Sequence, residues 1–260
     1  MARFCPLFSS SSGNCIYIGS GTSNILIDCG VSAKRISAAL ANIGLIPEGI
    51  SAVFVTHEHS DHICGLSAFA VKRGIPIYAS EKTADALMAN PKLSRADIRI
   101  AEEENNIGGM KVIPFPTSHD CAGSSGYRIN ISEEHSFAVC TDTGIITDEI
   151  RHKLTGCDLV MIESNHDVTM LRKGAYTPAM KQRILSDHGH LSNGSCALEL
   201  PALINSGTTR IILGHLSKNN NLPEIARSTA NAEIVKHGFT EGEDYILYVA
   251  PPEGGMMFSL

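Results

Sequence analysis

An α/β sandwich, two packed mixed sheets with helices on the outside, is the fold class this sequence predicts. Three observations carry it. Strand-type and helix-type runs alternate along the chain. The strands arrive in two groups. Each group holds strands to spare, so two sheets fit better than one doubly wound sheet. The 260 residues contain no Pro/Gly/Ser-rich linker, no block of like charge and no repeat with a period of about 20–50 residues. One compact domain over residues 1–260 is therefore expected, a length that an α/β fold commonly fills alone.

The first group opens with β-type runs at residues 15–19 and 25–28. A helix follows, with Ser32 as its N-cap, Ile36 and Leu40 on one face and Gly44 as its stop. Residues 52–56 (AVFVT) are continuously apolar, as expected of a central strand covered on both faces. Residues 62–73 read as a helix closed by Gly74, residues 76–79 as a strand and residues 83–89 as a helix. After the polar stretch 102–106, the second group brings strands at 111–116, 127–131 and 137–141. A helix at 147–154 and a strand at 159–163 come next. Helices at 178–187, 195–204 and 223–237 then alternate with strands at 210–213, 245–249 and 256–259.

Hydrophobic residues make up 43% of the chain and charged residues 18%, which supplies a sizeable core and excludes a disordered chain. No apolar run approaches the ~18 residues of a membrane span. The opening MARFCPLFSSSSGNC has one Arg and few apolar residues before its serines, so it is not read as a signal peptide. The eight cysteines form no C-x-x-C pair. They read as buried free thiols of a reducing compartment, and a cytoplasmic protein is expected. A net charge of −6 excludes a global basic field for nucleic acid but leaves room for a local patch. The candidates for such a patch are Arg172, Lys173, Lys181, Arg183 and Lys218. Trp is absent and aromatic residues are 5%, which argues against base stacking as the main mode of recognition.

The segment that carries chemistry is Thr56-His57-Glu58-His59-Ser60-Asp61-His62. It follows an apolar strand and precedes a helix. In extended backbone, residues two apart face the same way, so His57 and His59 can share one ion. The turn into the helix presents Asp61 and His62 to a second point nearby. Imidazole with carboxylate suits zinc, manganese or iron. His119, Asp142 and His215 each stand just past another apolar strand, where open α/β sheets collect their sites. The run 9–14 (SSSSGN) offers hydroxyls, backbone N–H groups and Gly13, the makings of an anion nest. Ser11, Ser12 and Asn14, with Asn193, are the candidate substrate contacts.

The order H-x-H-x-D-H, a further His, an Asp and a last His resembles the metallo-β-lactamase-fold metallo-hydrolases. The run 25–30 (ILIDCG) is similar to that family's early LIDxG segment. SSSSGN, THEHSDH and the GHLSN of residues 189–193 look like its YycJ (WalJ) subgroup, related to the RNase Z and RNase J nucleases. The resemblance implies a four-layer αββα sandwich with two divalent ions, zinc or manganese, with iron as a third choice. It implies that His57, His59 and His119 hold one ion, that Asp61, His62 and His215 hold the other, and that Asp142 bridges them. It makes Asp28 a buried supporting carboxylate. GHLS occurs twice; the copy at Gly214 follows a β-branched strand, so His215 takes the metal. The likeness to RNase Z-type enzymes implies that His190, in the other copy, is the proton donor or phosphate ligand, with Glu163 orienting it; Asp61 handles the proton of the attacking water.

The activity so implied is a phosphodiesterase using a metal-bridging hydroxide. It is expected to be a cytoplasmic 5′→3′ exonuclease on DNA with a role in DNA repair. The chain has neither a large β-CASP insertion nor an obvious tRNA-gripping arm. Neither nuclease's substrate therefore carries over directly; the subgroup resemblance implies DNA rather than RNA, and a homodimer is left open. The alternative is a hydrolase of a lactone, thioester or cyclic nucleotide on the same metals. A structural-metal protein is disfavoured by the intact ligand set, and a redox diiron protein by the expectation of extra electron-carrier domains, for which 260 residues leave no room.

Overall fold

Strands and helices alternate along the computed structural model, which describes residues 1–21, 23–131 and 135–260. The order is β1 (Arg3–Phe8), β2 (Cys15–Gly19), β3 (Asn24–Ile27), α1 (Ala33–Asn42), β4 (Ala52–Phe54), α2 (Ser60–Ile63), α3 (Leu66–Phe69), β5 (Ile77–Ala79), α4 (Glu81–Met88), β6 (Ile98–Ile100) and β7 (Asn105–Ile107). It continues with β8 (Met110–Pro116), β9 (Ser125–Ile131), β10 (His135–Cys140), α5 (Asp148–Leu154), β11 (Leu159–Glu163), α6 (Val168–Lys173) and α7 (Pro178–Ile184). It ends with α8 (Asn193–Asn205), β12 (Arg210–Gly214), α9 (Pro223–Lys236), β13 (Ile246–Val249) and β14 (Phe258–Ser259). Among the described residues these strands form two seven-stranded mixed sheets, β1–β6 with β14, and β7–β13.

The chain divides into two compact units. The first comprises Met1–Pro114, Cys121–His135 and Pro251–Leu260. It contains the whole first sheet, in the order β14-β1-β2-β3-β4-β5-β6. The β1–β2 and β2–β3 pairs are antiparallel, and β3 to β6 run parallel. β4 is short but wholly buried, as its apolar sequence requires. The Phe54 ring stacks on Tyr78 with centroids 4.8 Å apart and meets Tyr127 edge-on at 5.4 Å. The Tyr127 hydroxyl donates to the Val55 carbonyl at 2.6 Å, so its polar tip is satisfied inside the core. This cluster fixes the backbone that leads into His57.

The second unit comprises Phe115–Asp120 and Ser136–Ala250. Its frame is the parallel series β10-β11-β12-β13. All five residues of β11 are buried. Side-chain caps start the helices where the sequence offers Ser, Thr or Asp: Thr147 for α5, Asp167 for α6, Thr177 for α7 and Ser192 for α8. The last of these puts the GHLS turn at 189–192 directly on a helix start, two residues earlier than the pattern predicts.

Several elements depart from the expectation, each for a local reason. β1 carries Pro6, which disguises a strand; the register slips there, between Pro6 and Phe8. β7 falls partly in the polar stretch, and β6 and α6 are too short to show a period. The helix expected at 62–73 breaks at Gly65. Its N–H bonds to the Cys29 carbonyl at 2.8 Å, and a Cβ there would stand 2.1 Å from the Val31 carbonyl oxygen. All eight cysteines are free, but only six are buried; Cys64 is exposed and Cys121 half-buried.

Gly30 sets the position of the histidine-rich loop. Its N–H donates to the Asn14 carbonyl at 2.7 Å, and the Asn14 N–H donates to the Asp61 carbonyl at 2.9 Å. A Cβ on Gly30 would lie 1.6 Å from that Asp61 oxygen. Gly30→Ala is expected to destabilise the fold by about 1–3 kcal/mol in a denaturant titration, the usual cost of overpacking. An unchanged midpoint would show that the loop has slack.

Candidate metal centre

In the first unit the site begins where β3 and β4 end. Asp28 adopts a left-handed backbone (φ 64°), which turns its carboxylate under the next strand. It accepts from Thr56 N–H at 2.8 Å and from Thr56 Oγ1 at 2.9 Å, and stands 2.7 Å from His62 Nδ1. Burial pushes the Asp28 carboxyl upward, while His62 and Thr56 pull against that shift. Since its hydroxyl proton goes to Asp28, Thr56 Oγ1 accepts from His57 Nδ1 at 3.0 Å. Both imidazoles are thereby held with Nδ1 as donor and Nε2 as the acceptor nitrogen. His57 Nε2 faces His59 Nδ1 at 2.9 Å, and His62 Nε2 lies 3.5 Å from Asp61 Oδ2. Glu58, between the two histidines, braces the loop by accepting from Ala122 N–H at 2.7 Å.

In the second unit three further strand ends contribute. His119 follows β8, and its Nδ1 donates to the Gly189 carbonyl at 3.0 Å, so Nε2 is the unprotonated nitrogen. Burial holds the His119 imidazole below its ordinary pKa, which favours the neutral form that binds metal. Asp142 follows β10 and His215 follows β12, and both are left-handed (φ 57° and 54°). Among the described residues these two and Asp28 are the non-glycine positions with positive φ. Such conformations cost energy and cluster where a side chain must be aimed. Asp142 Oδ2 is 3.2 Å from His215 Nδ1, and Oδ1 is 3.9 Å from His119 Nε2. The His215 carbonyl is held by Asn165 Nδ2 at 2.9 Å.

Beside these lies the pair His190 and Glu163. His190 Nδ1 is 2.8 Å from Glu163 Oε1. Glu163, fully buried at the end of β11, accepts with Oε2 from Thr143 N–H at 3.0 Å and Leu191 N–H at 3.2 Å. Burial alone would lower the His190 pKa; the Glu163 charge and hydrogen bond, with the Asp142 charge, overcome it and hold the imidazole at about 9. Ligand atoms of Asp142, Glu163, His190 and His215 fall within 4.8 Å of one another.

The other predicted contacts are placed less openly. Ser11 and Ser12 are exposed in the turn between β1 and β2. Asn14 is buried; its Oδ1 accepts from Ser10 N–H at 3.2 Å and its Nδ2 lies 3.1 Å from His62 Nε2. Asn193 is buried in α8 and bonded to Ser164 and Asn221. Of the basic residues, Arg172, Lys173 and Lys218 are exposed, and Lys181 Nζ donates to the Arg172 carbonyl at 2.7 Å. His188 is a surface residue. His166 is not: it is 1% exposed, because the Asn193 N–H bonds its carbonyl and draws the loop inward, and burial lowers its pKa to about 4. Sequence reasoning also passed over Thr56, the hydroxyl on which the first half turns, although it stands inside the motif.

A β-lactamase superfamily domain model matches residues 23–216. The chain belongs to the β-lactamase superfamily. It is 37% identical over 256 residues to a protein of Streptococcus pneumoniae named exodeoxyribonuclease WalJ, covering 96% of this chain and 95% of that one. It is 37% identical over 254 residues to one of Bacillus anthracis named exodeoxyribonuclease YycJ, covering 96% of each. The crystal structure of the metallo-β-lactamase fold protein YhfI from Bacillus subtilis superposes with a TM-score of 0.72, at 15% identity over 99% of this chain and 98% of that one. The fold class is thus the one expected.

The superfamily fold implies a divalent metal, and the donor set fits one. His57, His62 and His119 each engage one ring nitrogen on an oxygen of the protein and present the other, the arrangement that supports metal-binding imidazoles. Asp28→Asn should therefore weaken metal affinity by about 10–100-fold in competition with a chromogenic chelator. An unchanged affinity would remove Asp28 from the support of His62.

Proposed function

We propose that this protein is a metal-dependent phosphodiesterase that cuts nucleic acid, a 5′→3′ exonuclease acting on DNA. The observation that carries the reading is the identity, across nearly the whole chain, with two enzymes named as exodeoxyribonucleases. The family model runs through both units, which supports reading residues 1–260 as one domain. The eight free thiols support a reducing, cytoplasmic setting. A part in DNA repair is proposed on the exonuclease reading alone.

The ligand assignment proposed is the one the family resemblance gives: His57, His59 and His119 for one ion, Asp61, His62 and His215 for the other, and Asp142 between them. When bound, a pair of zinc or manganese ions supplies Lewis acidity toward the diester and lowers the pKa of water. The protein's own groups do the rest. Asp61, half-buried beside His62, orients the attacking water and takes up its proton. Glu163 fixes His190 through Nδ1, so Nε2 faces the substrate and donates its proton to the leaving 3′-oxygen. A pKa held at about 9 keeps that proton in place at neutral pH. Ser11 and Ser12 meet a substrate phosphate from their exposed turn. Asn14 and Asn193 act through the loops they hold.

The competing reading, a small-molecule hydrolase, draws on the net charge of −6 and the absence of Trp. End-labelled single- and double-stranded DNA and RNA, set beside lactone and thioester substrates, separate the two. Release of nucleotides from the 5′ end of DNA, lost on chelation and restored by manganese or zinc, is the expected result. His190→Ala is expected to lose about 10²–10⁴-fold in kcat, the usual worth of a positioned acid, with metal content unchanged. Loss of metal in that variant would make His190 a ligand instead. Since His190 must carry its proton to act, the rate should fall as pH rises through about 9. Glu163→Gln removes the charge that raises this pKa and should move that limb to lower pH; a fixed limb would detach it from His190.

A further inference from the structure

Arg183, in the last turn of α7, uses one of the two bidentate edges of its guanidinium within the protein. Nε and Nη2 clamp the carboxylate of Asp120, with Nη2 on Oδ1 at 2.8 Å and Nε on Oδ2. Its second edge, Nη1 with the remaining hydrogen of Nη2, meets only the Met180 sulfur at 3.9 Å among the described residues. The side chain is 44% exposed. The Asp120 oxygen that takes Nη2 is also 3.5 Å from His119 Nε2. The guanidinium thus stands within two short contacts of a proposed metal ligand.

The backbone around Arg183 is tied to the reacting groups as well. His190 N–H bonds the Ile184 carbonyl at 3.0 Å, and Gly189 N–H bonds the Ser186 carbonyl at 2.9 Å. A Cβ on Gly189 would lie 2.3 Å from the Arg183 carbonyl oxygen, so the two segments touch as closely as backbone allows. Ser118 Oγ donates to the Asp187 carbonyl at 2.7 Å and closes the same turn onto the His119 loop. Arg183 is therefore a cation fixed in plane, next to His119 and His190, with an open fork. That fork matches the two non-bridging oxygens of a phosphate in a way a lysine does not.

We infer that Arg183, braced by Asp120, anchors a phosphate of the nucleic acid that neighbours the scissile diester. The inference rests on the nuclease reading above and deepens it, since a substrate with a single phosphorus has no second phosphate for the fork. The phosphate is either an internal diester or a terminal 5′-phosphate, which share this chemistry.

The test compares Arg183→Gln and Arg183→Lys with the wild type, all metal-loaded, on a DNA oligonucleotide and on bis(4-nitrophenyl) phosphate. Arg183→Gln is expected to lose at least about tenfold more in kcat/KM on the oligonucleotide than on the single diester, chiefly through KM, and Arg183→Lys to recover part of it. Binding of an uncut phosphorothioate oligonucleotide should weaken, with the salt slope reduced by about one. Oligonucleotides with and without a 5′-phosphate identify the group held: a loss confined to the phosphorylated one assigns the terminal phosphate, a loss on both the internal diester. Should Arg183→Gln lose its metal or its melting transition, the same comparison is read on Arg183→Lys, which keeps the charge but not the fork. Equal losses on both substrates, with the salt slope unmoved, overturn the inference and leave Arg183 a brace for the α7 turn. A wild type that hydrolyses the single diester but no oligonucleotide removes the nuclease reading, and the anchor with it.

Discussion

A buried carboxylate, Asp28, is the constraint from which the first half of the centre follows. Lone pairs deep in a core must be satisfied, and Asp28 satisfies its own on Thr56 and His62. Doing so fixes the Thr56 hydroxyl as an acceptor for His57 and fixes the His62 tautomer. One carboxylate therefore orients two imidazoles that lie 29 and 34 residues further along the chain. Its left-handed backbone is the local cost of that reach.

The second half solves the same problem with different parts. Gly189 supplies a carbonyl to His119, Asn165 holds the His215 carbonyl, and Glu163 divides its two oxygens between His190 and a pair of backbone N–H groups. Glu163 and Asn165 sit at or just beyond the carboxyl end of β11, where a loop can aim a side chain while the strand beneath stays rigid, and Gly189 sits in the turn between α7 and α8. The loops differ in sequence, yet the principle is shared: the outward nitrogen of each ring is set by what its inward nitrogen touches.

Much of this was legible in the chain. The apolar runs that become β4, β11 and β12 are continuous, so they announced interior parallel strands, and a ligand-type residue directly after such a strand is a strong local signal. The resemblance rested on those residues and supplied the order of the layers. Pairings between distant residues were far less legible. The Glu163–His190 contact came from family likeness, and nothing in the spacing points to Thr56 as a hub or to Gly189 as the carbonyl behind His119. β1 was hidden by its proline, and the helix after the motif was read through Gly65 because a period cannot report a crossing loop.

The clearance at Gly30 has a consequence for the motif itself. HEHSDH takes its shape from Asn14, Asp28 and Gly30, none of which belongs to it. It is not a portable cassette. Grafted onto another strand–helix junction without that underlying floor, the same six-letter string would present its imidazoles at random tautomers and angles. Any redesign that borrows the centre must carry over the bed on which the loop lies.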